Sequence, residues 1–331
     1  MSAPDESWPM IEEAVFRLFA ELSAKNPGAH VAIGPPLEEL GWADIEAEYP
    51  AAAGELLFRA AGRSLIDADC LDKVILADLG PLIDGPVDGV VLPDLAGGSA
   101  PASDAEHVSG ILLGPLPASG RLCVPVSGPT GAVSIAIVGV DGLHGERLDT
   151  FDASASWTRV SGPLRGELAE ATNEWQRAVS SAYRALATEL VALADEALRI
   201  AVEHVSVRIQ FGSPIGSFQS PRHLLADAAA NLEGARALLT EAWRDDAEFS
   251  ALVAKAAAGR AHRAVSDAAM QVCGAIGLTM EHDLHRYVTR GFQIDSLFGS
   301  YQQLEALLAQ RFFDTQAPHG ALPAIVDWAA V

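Results

Sequence analysis

Apolar residues recur at three- and four-residue steps from the first turns of the chain. In WPMIEEAVFRLFAELSA the residues Ile11, Val15, Leu18 and Leu22 line one face, and Ser7-Trp8-Pro9 supplies a start signal. LEELGWADI and AGELLFRAAGRSLIDADCL read as two further helices, so residues 1–90 form an all-helical block. The pattern then changes. GVVLPDL, SGILLGPL, RLCVPVSG, AVSIAIVGV and WTRVSG are short Val- and Ile-rich runs bounded by Gly, Pro and Ser. Such runs predict the strands of a small antiparallel sheet over residues 91–165, with LAGGSAPASDAE as a loop.

From residue 166 to the end at 331 the helical period returns. Leu186, Leu190, Leu193, Ala197, Ile200 and Val205 make a stripe. A second helix starts near Pro221, where proline is tolerated in a first turn. AEFSALVAKAAAGRAHRAVSDAAMQVCGAIG predicts a third, closed by glycines, and YQQLEALLAQRFF a fourth. Four long helices on short turns predict an antiparallel bundle.

Composition narrows the function. Acidic residues number 44 against 22 basic ones, a net charge of -22. That excludes nucleic acid and anionic membrane as main partners, because phosphate binding needs a basic face. No run of about 18 apolar residues predicts a membrane span. The acidic N-terminal stretch lacks the apolar core of an export signal. Three scattered cysteines, Cys70, Cys123 and Cys273, without CxxC, fit a reducing cytoplasm and exclude a disulfide framework or zinc ribbon.

Candidate chemistry is sparse. His282 and His285 are three apart, the spacing of two helical ligands, but no third His or Cys sits nearby in sequence, so they read as a solvated helix start and no metal is expected. No G-x-S-x-G elbow and no phosphate loop occurs. Arg208 stands at the predicted end of a helix, where the dipole favours a cation. Beside a glycine turn its forked guanidinium also suits a diphosphate. Phe211 and Phe218 offer ring faces, and Gln219 and Gln271 offer amides.

RIQFGSPIGSFQ followed by LADAAANLEGARALL resembles the acyl-CoA dehydrogenases. QVCGAIGLTMEHDLHRYVTRG is similar to that family's Q-x-x-G-G-x-G stretch, and LEELGW to its L-x-x-L-G-W-like turn. The resemblance covers about residues 170–315 and is weak before them. It implies a mainly α fold with a small β domain. An N-terminal helical domain (1–90), a reduced middle antiparallel β domain (91–165) and a C-terminal four-helix bundle (166–331) would follow in order. It further implies FAD as cofactor. Arg208, Gln210 and Phe211 would face the diphosphate, with Phe218 and Gln219 close by, and Gln271 and Gly274 would line the adenosine side. In the family this FAD is often seated in a neighbouring subunit. Ala275 departs from the pattern, which has a second glycine there.

The reaction implied is α,β-desaturation of an acyl-CoA thioester, which needs a carboxylate at the α carbon. The family's base is the Glu of I-Y-E-G-T. Aligned from Arg290 this chain reads SLFGSYQQ, so Gly299 occupies the Glu position and Gln303 matches a following glutamine. The alternative base position, 26 residues before the turn arginine, is Ala182. The family's T-E-P-x-A-G-S-D-like run has no counterpart in LLGPLPASGRLCVP. The resemblance therefore points to the base-less subunit of a heterotetrameric (α2β2) actinobacterial enzyme of steroid side-chain degradation. Its catalytic partner would bind most of the acyl-CoA, and an electron-transfer flavoprotein would accept electrons. Two other readings stay open: a flavin-free scaffold, or a homo-oligomeric dehydrogenase with its base relocated to Glu189 or Glu196.

Overall fold

A computed structural model describes residues 7–313, apart from 96 and 153. The last part of the C-terminal block, residues 314–331, lies outside the described residues. The architecture is mainly helical, with small antiparallel sheets between two sets of helices. The first set is α1 (Trp8–Lys25), α2 (Gly34–Glu39), α3 (Trp42–Glu48), α4 (Pro50–Ser64) and α5 (Cys70–Leu79). LEELGWADI, expected as one helix, breaks into α2 and α3 at Gly41, whose φ of 69° ends the first turn. AGELLFRAAGRSLIDADCL likewise breaks at Leu65, φ 55°. The break has a cause in the residues after it. Asp67 accepts from the Ser156 amide (2.8 Å) and Asp69 from the Ile33 amide (2.8 Å), so this turn holds distant backbone.

Two three-stranded antiparallel sheets replace the single sheet expected. One is ordered β1 (His107–Leu113), β5 (Trp157–Pro163), β4 (His144–Arg147). The other is ordered β2 (Arg121–Ser127), β3 (Val133–Gly139), β6 (Ala169–Glu170). GVVL is not a strand but a strap between them, bridging Val90 to Cys123 and Leu92 to Ile111. Successive strand side chains point to opposite faces. Leu122, Val124 and Val126 therefore enter a core between the sheets, while Cys123 joins the helical core. Burial on both faces explains why β2 reads as a continuous apolar run rather than an alternating one.

The bundle is built on α6 (Thr172–Val207), 36 residues long. After a hairpin of β7 (Ile209–Gln210) and β8 (Ser213–Pro214) come α7 (Gln219–Asp245) and α8 (Glu248–Cys273). These are followed by α9 (Leu284–Asp295) and α10 (Tyr301–Phe313). The helix expected from Pro221 begins two residues earlier, and α9 is a shorter fifth helix added to the predicted four. It packs on α6 and α8, with Val288 and Ile294 buried. Close approach of α4 to α6 depends on Gly62, where a Cβ would stand 2.8 Å from the Glu189 carbonyl oxygen.

Asp72 on α5 fixes the strap, its Oδ1 accepting from the Val90 amide at 3.3 Å. Burial raises its pKa from 3.8 to about 7. A carboxyl whose folded pKa exceeds its unfolded one binds more protons when folded, so stability falls as pH rises from about 4 to about 7. Urea midpoints at pH 5 and pH 8 check this. Asp72→Asn keeps an acceptor for Val90 and is expected to remove a fall on the order of 2–4 kcal/mol.

Candidate functional site

The hairpin after α6 presents most of the sequence-predicted residues. Arg208 caps α6, its amide donating to the His204 carbonyl (2.9 Å), and its own carbonyl accepts from Ile215 (2.8 Å). Gln210 pairs with Ser213 across a two-residue turn of Phe211 (φ 52°) and Gly212 (φ 81°). Both central residues need positive φ, and glycine supplies only one of them. Phe211 therefore holds a conformation that costs a side-chain residue about 1–2 kcal/mol, with its ring 93% exposed. The ring meets Phe218 edge to face at 6.2 Å. Gln219 opens α7 and is exposed, as is Arg208, which no carboxylate of the described residues reaches.

Gln271 and Gly274 lie at the end of α8, both exposed. Gly274 has φ 64° and a Cβ there would meet nothing within 4 Å, so the backbone is open to close approach. The α6 and α8 ends meet here, because ligand atoms of His204, Cys273 and His282 lie within 4.8 Å of one another. His285 is not in this cluster; its ring N–H donates to the His282 carbonyl at 2.7 Å.

Gln303 and Gly299 are elsewhere. Gly299 is buried beside the first third of α8, where the Lys255 ammonium donates to its carbonyl at 3.3 Å and to Asp295 Oδ1 at 3.3 Å. From Lys255 to Cys273 the helix rises about 27 Å, at 1.5 Å per residue. Gln303 Oε1 accepts from the Ser300 amide (2.9 Å), and Ser300 Oγ accepts from the Gln303 amide (3.5 Å). This capping box commits the Gln303 amide to the start of α10.

Gly299 has φ 98°, and a Cβ on it would sit 3.2 Å from Leu304 and 3.7 Å from Gly98. Beside it Phe298 packs on Trp175 (6.1 Å) and Tyr183 (6.5 Å). A cleft of about 270 Å³ opens nearby, lined among others by Ser99, Ser127, Trp175, Tyr183, Leu252 and Arg311. Trp175 Nε1 donates to the Ser99 carbonyl (3.1 Å), joining α6 to the loop after the strap. Sequence reading missed this cleft. Its residues come from five separated segments, and the Ser99 loop has no periodicity to mark it.

Neither relocated-base candidate is free. Glu189 is buried, its Oε1 3.5 Å from the Arg290 guanidinium, which also lies 3.5 Å from Asp152 and donates to the Ile66 carbonyl (3.1 Å). Burial raises the Glu189 pKa, with Arg290 opposing it. The adjoining cavity of about 20 Å³ is the size of one water molecule and not of an acyl chain. Glu196 pairs with Arg63 (3.1 Å) and Arg199 (2.8 Å) at the surface. Ala182 is fully buried.

Residues 176–310 match the family described as acyl-CoA dehydrogenase, C-terminal domain. The chain is 29% identical over 316 residues to acyl-CoA dehydrogenase IpdE2 of Mycobacterium tuberculosis, covering 92% of this chain and 94% of that one. Among solved structures it is similar to a variant of the Tcur3481–Tcur3483 steroid ACAD. The TM-score there is 0.62 at 26% identity, over 78% of this chain and 81% of the other. The ChsE4–ChsE5 complex from Mycobacterium tuberculosis shares the fold, with TM-score 0.71 at 18% identity over 96% and 100%. Helical layers around small antiparallel sheets, with these matches, define the acyl-CoA dehydrogenase fold. Over residues 176–310 the chain is similar to the acyl-CoA dehydrogenase C-terminal domain, and over most of its length to acyl-CoA dehydrogenases. No helix among the described residues is long and apolar enough to cross a membrane.

Removing Arg290 strands Glu189 and Asp152 as buried charges. Arg290→Met is expected to cost about 3–5 kcal/mol in urea unfolding, and adding Glu189→Gln to recover part of it.

Proposed function

We propose that this chain is the non-catalytic subunit of an FAD-dependent acyl-CoA dehydrogenase. It donates contacts to the ADP half of an FAD whose flavin ring sits in a catalytic partner of an α2β2 complex. The observation that carries the reading is a separation. The exposed corner of Arg208, Gln210, Phe211, Phe218, Gln219, Gln271 and Gly274 stands at one end of α8. The position of the missing base stands beside Lys255, two turns from the other end. One FAD diphosphate at that corner cannot serve chemistry at Gly299 of the same chain unless the cofactor runs the length between them.

The corner fits the ADP half. An unpaired guanidinium suits a diphosphate, and a glycine with open space above it admits close backbone approach. Gln303, bound into the α10 cap, would reach a flavin only through the amide hydrogens its capping bond leaves free. The base position opposes desaturation in this chain, since Glu189 is locked to Arg290 and Gly299 carries no side chain. The names of the relatives support a steroid-derived acyl-CoA as substrate of the complex, bound mainly by the partner. An electron-transfer flavoprotein as acceptor and a cytoplasmic setting accompany that reading.

Visible absorbance of the chain purified alone, and of its complex with a co-expressed catalytic subunit, tests the proposal. A colourless chain and a complex with one FAD per unlike pair are expected. Arg208→Ala in the complex removes a charged hydrogen-bond donor worth about 1.5–3 kcal/mol, so FAD affinity should drop roughly ten- to hundredfold. A yellow lone chain that desaturates acyl-CoA overturns the proposal, and a complex without flavin makes the subunit a scaffold. Gly299→Glu in the lone chain is expected to give no desaturation and to lose about 1–3 kcal/mol, from strain at φ 98°.

A further inference from the structure

We propose that His204, Cys273 and His282 bind a borderline divalent cation, zinc above all, at the corner where the ends of α6 and α8 meet. The inference is independent of the FAD reading, since it rests on these three side chains alone. His204 lies in the last turn of α6, Cys273 ends α8, and His282 sits in the loop before α9. Their ligand atoms lie within 4.8 Å of one another. Tetrahedral zinc, with Zn–S of about 2.3 Å and Zn–N of about 2.0–2.1 Å, needs ligand atoms roughly 3.3–3.6 Å apart. Small side-chain rotations close that difference with the helices in place.

The chemistry of the set selects the ion. Two imidazoles and one thiol are the ligands of zinc sites, whereas magnesium and calcium take oxygen. Three protein ligands leave a fourth position for solvent, which the half-buried histidines can reach. The surroundings are prepared for it. The His204 ring stands edge-on to His282, 6.1 Å between centroids, and takes no hydrogen bond among the described residues. The loop is held by the His285 ring bond to the His282 carbonyl and by the His282 amide donating to Thr279 (3.3 Å). His282 Nδ1 accepts a long bond from the Leu284 amide (3.3 Å). That weak contact leaves Nε2 free to ligate, and it is given up if Nδ1 is the ligand. Burial raises the Cys273 thiol above its ordinary pKa, so metal binding displaces its proton into solution.

A bound ion would clamp the last turn of α6 to the end of α8, one turn before Arg208. Zinc titration calorimetry on the full chain, reduced and freed of metal with a chelator, is the test. Saturable binding of one Zn²⁺ per chain with a micromolar or tighter dissociation constant is expected. His204→Gln, His282→Gln and Cys273→Ser should each weaken it roughly tenfold or more. His223→Gln, an exposed histidine of α7, serves as the control. Cobalt(II) in place of zinc should give a near-ultraviolet thiolate charge-transfer band that Cys273→Ser abolishes. Circular dichroism identifies any variant that does not fold, and the folded ones decide. Absence of saturable zinc binding below millimolar overturns the site. So does less than a tenfold change in a folded variant, or a cobalt spectrum without the thiolate band.

Discussion

Arg290 is the charge on which three layers of this molecule converge. Its guanidinium faces Glu189 of α6 and Asp152 of the segment before β5, and it bonds the Ile66 carbonyl in the turn between α4 and α5. Asp152 is held in turn by α9, since its amide donates to Gln293 Oε1 at 2.9 Å. Burial works against the cation, yet Glu189, Asp152 and Asp67 together raise the Arg290 pKa above its ordinary value. A buried ion cluster of this kind adds little net stability over an apolar core, but breaking it strands charge. Its consequence is positional. The α4–α5 turn, the segment before β5 and the bundle all meet at Arg290, whose charge faces two acids while its Nε and Nη1 take no hydrogen bond among the described residues.

The same cluster limits what the interior can do chemically. A general base must reach a substrate proton with its carboxylate unengaged. Glu189 has the buried setting and raised pKa of a base, but its neighbour is a fixed guanidinium and its cavity is the size of one water. Perturbed pKa values mark structural ion pairs as well as active sites, and here the geometry selects the first. The Gly299 turn is also held from outside. Lys255, fully buried, bonds the carbonyls of Asp295 and Gly299, while Asp295 accepts from the Tyr301 amide. The turn thus keeps its shape without a side chain at Gly299, the position that the sequence resemblance aligns with the family's base.

Much of this was legible in sequence where the period was long. The stripe from Leu186 to Val205 is α6, and the apolar runs SGILLG, RLCVPVSG, AVSIAIVG and WTRVSG became β1, β2, β3 and β5. β4 was not legible, because His144–Arg147 is exposed throughout and has no apolar mark. The breaks at Gly41 and Leu65 escaped notice for a different reason: tertiary bonds to Asp67 and Asp69 decide the second, and local propensity does not contain them. α9 is not marked as a helix in the sequence pattern, since Arg286 and Arg290 hide its apolar face of Leu284, Val288 and Ile294. The hairpin residues were found as a motif. That Gln303 belongs to a helix cap needed the Ser300 contact, three residues away and invisible in composition.

An arginine that no carboxylate of the described residues reaches is conspicuous in a chain of net charge -22. Most other arginines of the bundle have found a carboxylate, as Arg184 has Asp246 and Arg236 has Asp195. Arg208 sits instead one turn beyond His204, at the carbonyl end of a 36-residue helix, where the dipole favours a cation by about 0.3–1 kcal/mol. That is enough to keep the charge in place without an acid beside it. Phe211 adds a second conspicuous feature, an exposed ring held in a left-handed conformation that glycine would adopt more cheaply. A fold that tolerates both at one corner, with the open backbone of Gly274 on the facing helix end, is carrying features its own stability does not need. The proposed ADP half of an FAD, presented by another subunit, would use all three at once.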